Sequence, residues 1–125
     1  MRVLLVEDGR DNQRLIVHVL QRAGCECEVV DNGQLCLDRM LAPGPSFDAV
    51  LMDLQMPVLD GITATRRLRA AGCRVPLVAL TANAAAAVSD ACLAAGCEHF
   101  LTKPIDRHEL VRVLGSVRQG VDARS

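Results

Sequence analysis

The sequence predicts an α/β fold, a single parallel sheet of five strands with helices on both faces. Two observations carry this. Short strand-like apolar runs alternate with segments of helical period about 10–15 residues long, the pattern of consecutive βαβ units. Four of the runs also end on a polar residue. Val3-Leu4-Leu5-Val6 meets Glu7-Asp8, Ala49-Val50-Leu51-Met52 meets Asp53, and Leu77-Val78-Ala79-Leu80 meets Thr81. Phe100-Leu101-Thr102 meets Lys103, the only lysine in 125 residues. In an open doubly wound sheet these tips share one edge, where such folds bind ligands.

Each element has its own signature. After the first strand, Asp11 is placed to cap a helix whose Leu15, Ile16, Val19 and Leu20 share a face, ended by Ala23-Gly24. Cys25, Cys27 and Val29 alternate with Glu26 and Glu28, a half-charged pattern that suits an edge strand. Asn32-Gly33 opens a short helix carrying Leu37, Met40 and Leu41, punctuated by Pro43-Gly44-Pro45. The run ending at Asp53 is nearly all apolar, as a central parallel strand covered on both faces must be. A loop with Pro57 and Gly61 leads to a helix through Ile62 and Leu68, stopped by Gly72, and the fourth strand follows Pro76.

Asn83 is placed to cap the next helix, rich in alanine (Ala84 to Ala87, Ala91, Ala94, Ala95) and ended by Gly96. Alanine favours helix but buries little area, so this helix rests on propensity more than packing and is expected to shift most easily. The fifth strand, near His99 to Leu101, precedes Lys103-Pro104. Asp106 and Glu109 have the spacing of a capping box for a last helix with Leu110, Val113, Leu114 and Val117 inward. The domain is expected to span residues 1–118, with a polar tail over 119–125.

Composition narrows the class. Half of the residues are apolar and 23% are charged, a globular balance for one core. No apolar stretch approaches the roughly 20 residues of a membrane span. After Met1 the chain runs directly into a strand pattern with no leader, so the expected compartment is the cytoplasm. A net charge of −1 argues against direct nucleic-acid binding. The cluster Arg66-Arg67-Leu68-Arg69 reads as a solvated helix face. Cys25, Cys27, Cys36, Cys73, Cys92 and Cys97 contain no C-x-x-C pair and read as small buried hydrophobes.

The strand tips suggest a specific chemistry. Glu7, Asp8 and Asp53 would place three negative charges together, and unpaired carboxylates at that density repel. A hard divalent cation resolves the repulsion, and an all-oxygen set with room for water favours Mg²⁺ over zinc. Lys103 adds a movable cation and Thr81 a hydroxyl donor. Together these suit phosphoryl transfer to a carboxylate, with Asp53 as the nucleophile because it ends the most buried strand. Singly, each residue is as well explained as a cap, a turn former or a strand former. Five suitable residues at successive tips are not.

A family resemblance then appears. Val6-Glu7-Asp8, the segment Leu51-Met52-Asp53-Leu54-Gln55-Met56-Pro57-Val58-Leu59-Asp60-Gly61, Ala79-Leu80-Thr81-Ala82-Asn83 and Phe100-Leu101-Thr102-Lys103-Pro104 resemble the receiver domain of two-component response regulators. The likeness covers essentially the whole chain, in order. It implies a flavodoxin-like (βα)5 sheet of strand order 2-1-3-4-5. It implies Asp53 as phosphoacceptor, served by a sensor histidine kinase, by a histidine phosphotransfer protein, or by a kinase domain on the same polypeptide. Asp8, Asp53 and the backbone carbonyl of Gln55 would bind Mg²⁺, with Glu7 acting directly or through water. Lys103 would pair with the phosphoryl group and the Thr81 hydroxyl would bond to it. Phe100 would turn inward as Thr81 moves, changing the face built from the fourth helix, fifth strand and fifth helix. The resemblance also implies a cis Lys103-Pro104 bond. Gly9 departs from the commonest pattern, and Asn12-Gln13 and the Ala79-to-Asn83 segment look most like receivers attached to hybrid sensor kinases.

Two rivals belong to other classes. An aspartyl-phosphate phosphatase of haloacid dehalogenase type needs a second aspartate two residues after the nucleophile, where Gln55 stands. A flavodoxin-like cofactor binder needs a Ser/Thr/Gly-rich loop after the first strand, where Glu7-Asp8-Gly9-Arg10-Asp11 would repel a phosphate. A receiver-like module that binds partners without phosphorylation keeps the fold and forgoes the chemistry.

Overall fold

A computed structural model describes residues 1–124 except Pro45, Pro57 and Ala84, with side chains as far as Val117. The sequence expectations that fall on those three residues lie outside the described set. Five parallel strands, β1 (Arg2–Val6), β2 (Glu26–Val30), β3 (Ala49–Asp53), β4 (Leu77–Thr81) and β5 (His99–Thr102), form one sheet in the order β2-β1-β3-β4-β5. Helices α1 (Arg10–Arg22), α2 (Gly33–Leu41), α3 (Gly61–Ala70), α4 (Ala86–Ala95) and α5 (Arg107–Arg124) make the crossovers. The fold class and strand order are those predicted.

Side chains alternate across the sheet with period two and so build two cores. Val3, Leu5, Leu51, Val78 and Leu80 pack under α1 and α5, against Ile16, Leu20, Leu110 and Leu114. Leu4, Val6, Val50, Met52 and Ala79 pack under the other three helices, against Leu37, Ala64, Leu68 and Cys92. β3 and β4 are buried along their whole length, whereas β2, the edge strand with Glu26 and Glu28, is half-exposed. All six thiols are free. Cys36, Cys92 and Cys97 are buried and the other three half-buried, and burial pushes the Cys36 thiol up to about 12.

Several local expectations change. α1 starts one residue before Asp11, with Gly9 at the N-cap and no side-chain cap, so Asp11 lies in the first turn. Leu15 is exposed because the inward stripe is only Ile16, Val19 and Leu20, and Leu41 is exposed at the last residue of α2. Asn83 does not cap α4. Its Oδ1 accepts from Ala85 N–H (2.9 Å) in a turn before the helix, and Ala85 holds the cap position without a side-chain bond. Asp106 does accept from Glu109 N–H (3.0 Å), but the Glu109 carboxylate faces Arg112 (3.9 Å), so only half of the capping box forms. Arg69 leaves the solvated arginine face. Its guanidinium donates to the Gly96 and Cys73 carbonyls at the ends of α4 and α3. The backbone of α5 stays helical through Arg124. The Lys103-Pro104 bond is cis, and only Cys92 and Ala95 of α4 are buried, as its alanines implied.

Phe47 locks the sheet edge opposite the strand tips. It is buried, with the Arg2 and Arg39 guanidinium carbons 5.2 and 4.9 Å from its ring centroid. Arg39 is also paired with Glu28 on β2 at 2.6 Å. Truncation removes the buried ring and its contacts with both guanidinium groups, so Phe47→Ala is expected to destabilise by about 3–5 kcal/mol in denaturant melts. A loss below about 1 kcal/mol would show that the pair merely covers the ring.

Candidate phosphoacceptor site

Parallel strands deliver their carboxyl ends to one edge, and the ladder continues one residue past the strands to hold the tips. Glu7 N–H donates to the Val30 carbonyl (3.1 Å), Leu54 N–H to Leu80 (3.0 Å) and Lys103 N–H to Thr81 (2.6 Å). Glu7, Asp8 and Asp53 converge there, each offering a carboxylate oxygen within 4.8 Å of the others. Glu7 and Asp53 are 1% and 2% exposed, whereas Asp8 opens to solvent. Lys103 bridges the buried pair, its Nζ donating to Glu7 Oε1 (2.8 Å) and Asp53 Oδ2 (3.0 Å). Gln55 N–H donates to Asp53 Oδ1 (3.1 Å), so both oxygens of Asp53 are held.

Charge balance is the dominant feature, since one ammonium faces three carboxylates. Burial raises the Glu7 carboxyl above its ordinary value, the shared hydrogen bond with Asp53 adds to this, and Lys103 opposes it. For Lys103, burial lowers the ammonium, but the Glu7 and Asp53 carboxylates outweigh burial and raise it. The remaining negative charge suits a cation. With only carboxylate oxygens, no His or Cys in the cluster, and Asp8 at the mouth admitting water, the donor set fits Mg²⁺ rather than zinc.

The raised Glu7 pKa has a definite sign in stability. The folded protein holds a proton that the unfolded chain releases near 4.5, so this contribution is present below 4.5 and lost as pH rises through the folded value. Asp60 and Asp106, both lowered by backbone hydrogen bonds at helix starts, act with the opposite sign. The Glu7 part is therefore read as a difference. Without metal, the stability of wild type relative to Glu7→Gln is expected to fall as pH rises above 4.5. A difference that grows with pH would overturn the assignment.

Thr81 and Phe100 stand beside the cluster rather than in it. The Thr81 side chain is fully buried and its Oγ1 accepts from Asn83 N–H (3.1 Å). Among the described residues it makes no hydrogen bond to Asp53 or Lys103. Phe100 is aligned with Ala79, two residues before Thr81, so the three side chains share a sheet face. It is half-buried against the second core.

Two residues near the cluster carried no expected role there. Gln13 reaches the turn holding Glu7 and Asp8, and Gly61 abuts the Asp53 backbone. Neither has charge or nucleophilic character to mark it. Only a side chain's tilt toward its helix N-terminus and a glycine opening a helix hint at them.

Known proteins resemble this chain over most of its length. The chain is 39% identical over 121 residues to "Two-component response regulator ORR41" of rice, covering 94% of each. It is 38% identical over 117 residues to "Hybrid signal transduction histidine kinase M" of Dictyostelium discoideum, where it spans 90% of this chain and 5% of the relative. Among solved structures, the receiver domain of sensor histidine kinase PA1611 of Pseudomonas aeruginosa PAO1, with a magnesium ion coordinated in its active site cleft, is 43% identical. Its TM-score is 0.81, with 90% of this chain and 93% of that chain covered. The family model described as "Response regulator receiver domain" matches residues 3–115, and with the fold and the acidic strand tips it places this chain in the receiver domain family of two-component systems.

Proposed function

We propose that this receiver accepts a phosphoryl group on Asp53 from a phosphohistidine on a sensor histidine kinase or phosphotransfer protein. One observation carries this most: the lone lysine, one residue past β5, is held between Asp53 and Glu7, beside a third carboxylate. Glu7, Asp8, Asp53 and the Gln55 carbonyl would hold Mg²⁺, which when bound supplies neutralisation of phosphoryl oxygens. Asp53, held by Gln55 N–H and Lys103, would be the nucleophile in an in-line attack. On transfer, Lys103 exchanges the Asp53 carboxylate for a phosphoryl oxygen as its partner.

The Thr81 hydroxyl, which accepts from Asn83 N–H among the described residues, would follow the new charge. Its movement would open space on the face it shares with Phe100 and Ala79, biasing the α4-β5-α5 face between two states. Catalysis is limited to self-phosphorylation and the later loss of the group. The receiver is assigned to residues 1–118, with 119–125 as a polar tail, and works in the cytoplasm on a kinase or next to one. Likeness to both a hybrid kinase and a short response regulator supports either setting.

Acetyl phosphate with Mg²⁺ is expected to add one phosphoryl group through an acid-stable, base-labile bond at Asp53, and chelation to prevent it. Sustained turnover of unrelated phosphate esters would favour a phosphatase instead.

A further inference from the structure

Asp8 is the exposed member of the acidic cluster, and among the described residues no hydrogen bond fixes its carboxylate. What aims it is therefore its backbone. The peptide plane joining Glu7 to Asp8 is set by the Glu7 carbonyl, which lies one step past the end of β1, beyond its last ladder partner. That carbonyl is taken by Gln13. Gln13 sits one turn into α1, and a helical side chain leans toward the N-terminus of its helix, here over the turn that holds Glu7 and Asp8.

The Gln13 Nε2 donates to Glu7 O at 2.5 Å and to Asp31 Oδ1 at 3.0 Å. A primary amide has two N–H donors, and both partner oxygens can accept, so the NH₂ group is fully used. It joins the turn after β1 to the turn after β2, where the ladder has just ended at Glu7 N–H and Val30 O. Glu7 is thus held through its own N–H, through its carbonyl, and through its carboxylate on Lys103. The amide also floors a cleft of about 450 Å³ that contains Asp8, Arg10, Arg14 and Asn32.

We infer that Gln13 is the positioning residue of the metal-holding turn, setting the direction of Asp8 through the Glu7 carbonyl while touching neither metal nor phosphoryl group itself. The inference rests on the metal-holding role proposed above for Glu7, Asp8 and Asp53. Partners that orient metal ligands typically change metal affinity by about 10–100-fold when removed. A purely structural contact would change stability and leave affinity alone.

Gln13→Met keeps length and removes both donors; Gln13→Glu sets a carboxylate against two acceptors, so the methionine variant carries the test. Mg²⁺ titrated calorimetrically into the full chain is expected to bind Gln13→Met about tenfold more weakly than wild type. Asp31→Ala, which removes only the second limb, is expected to lose far less. Thermal midpoints in EDTA report stability separately. A Mg²⁺ affinity for Gln13→Met within twofold of wild type would overturn the inference. If wild type itself binds no Mg²⁺, the proposed function fails first, and Gln13 is then judged by amide exchange in EDTA. Exchange at Asp8 and Gly9 about tenfold faster in Gln13→Met, with Leu80 unchanged, would support the positioning role, and equal rates would overturn it.

Discussion

Asp53→Asn is expected to reduce phosphorylation by acetyl phosphate and Mg²⁺ to background. The asparagine amide is isosteric but is not a nucleophile, and the variant lacks one of the three carboxylates that meet within 4.8 Å. The fold has reason to survive. Lys103 keeps Glu7 as a partner at 2.8 Å, and removing one of three crowded negative charges relieves repulsion at a buried position. Stability equal to or above wild type together with lost labelling would place the defect in chemistry rather than folding. Undiminished labelling would move the acceptor role to Glu7 or Asp8, which mapping of the labelled peptide would separate.

Gly61→Ala is expected to damage stability and phosphorylation together, against what helix propensity predicts. Alanine favours a helix over glycine by about 1 kcal/mol, and Gly61 is the first residue of α3. Packing decides otherwise. A Cβ here would overlap the Asp53 carbonyl oxygen and approach Leu54 Cα at 2.9 Å and Met52 Cγ at 3.0 Å. Gly61 N–H also donates to the Leu54 carbonyl (3.1 Å), so the helix start cannot retreat without breaking the bond that seats it. Backbone against backbone has no rotamer to yield, and overpacking of this kind costs about 1–3 kcal/mol. The residue displaced is the proposed phosphoacceptor, and a shift of about 1 Å in a reacting group can cost about 100-fold in rate. A variant more stable than wild type with normal labelling kinetics would show that the α3 start has slack.

Legibility differed by element for physical reasons. β3 and β4 were plain because a strand covered on both faces is apolar throughout, and both are wholly buried. The inward residues of α5 were equally plain, since Leu110, Val113, Leu114 and Val117 follow helical spacing and all are buried. Helix starts were less so. Asp11 and Asn83 have capping side chains, but where α1 and α4 begin depends on the turns before them, and those turns answer to the sheet edge. Arg69 looked like one of three solvated arginines until the end of α4 offered the Gly96 carbonyl. The candidate site was legible as a set of residue types at strand ends, because charge and nucleophilicity are written in the side chain.

Sequence by itself determined the order of elements, the parallel sheet, and which carboxylates, hydroxyl and ammonium come to its carboxyl edge. Period-two burial and the chirality of βα units leave few other outcomes. Tertiary structure alone decided the pairing among them. Lys103 meets both Glu7 and Asp53, Asp8 lies exposed beside them, and the Thr81 hydroxyl accepts from Asn83 N–H. It alone decided what braces the edge, through the Gln13 amide and the missing Cβ of Gly61. These depend on distances of tenths of an ångström between segments far apart in the chain. Residue type and spacing carry no such distances.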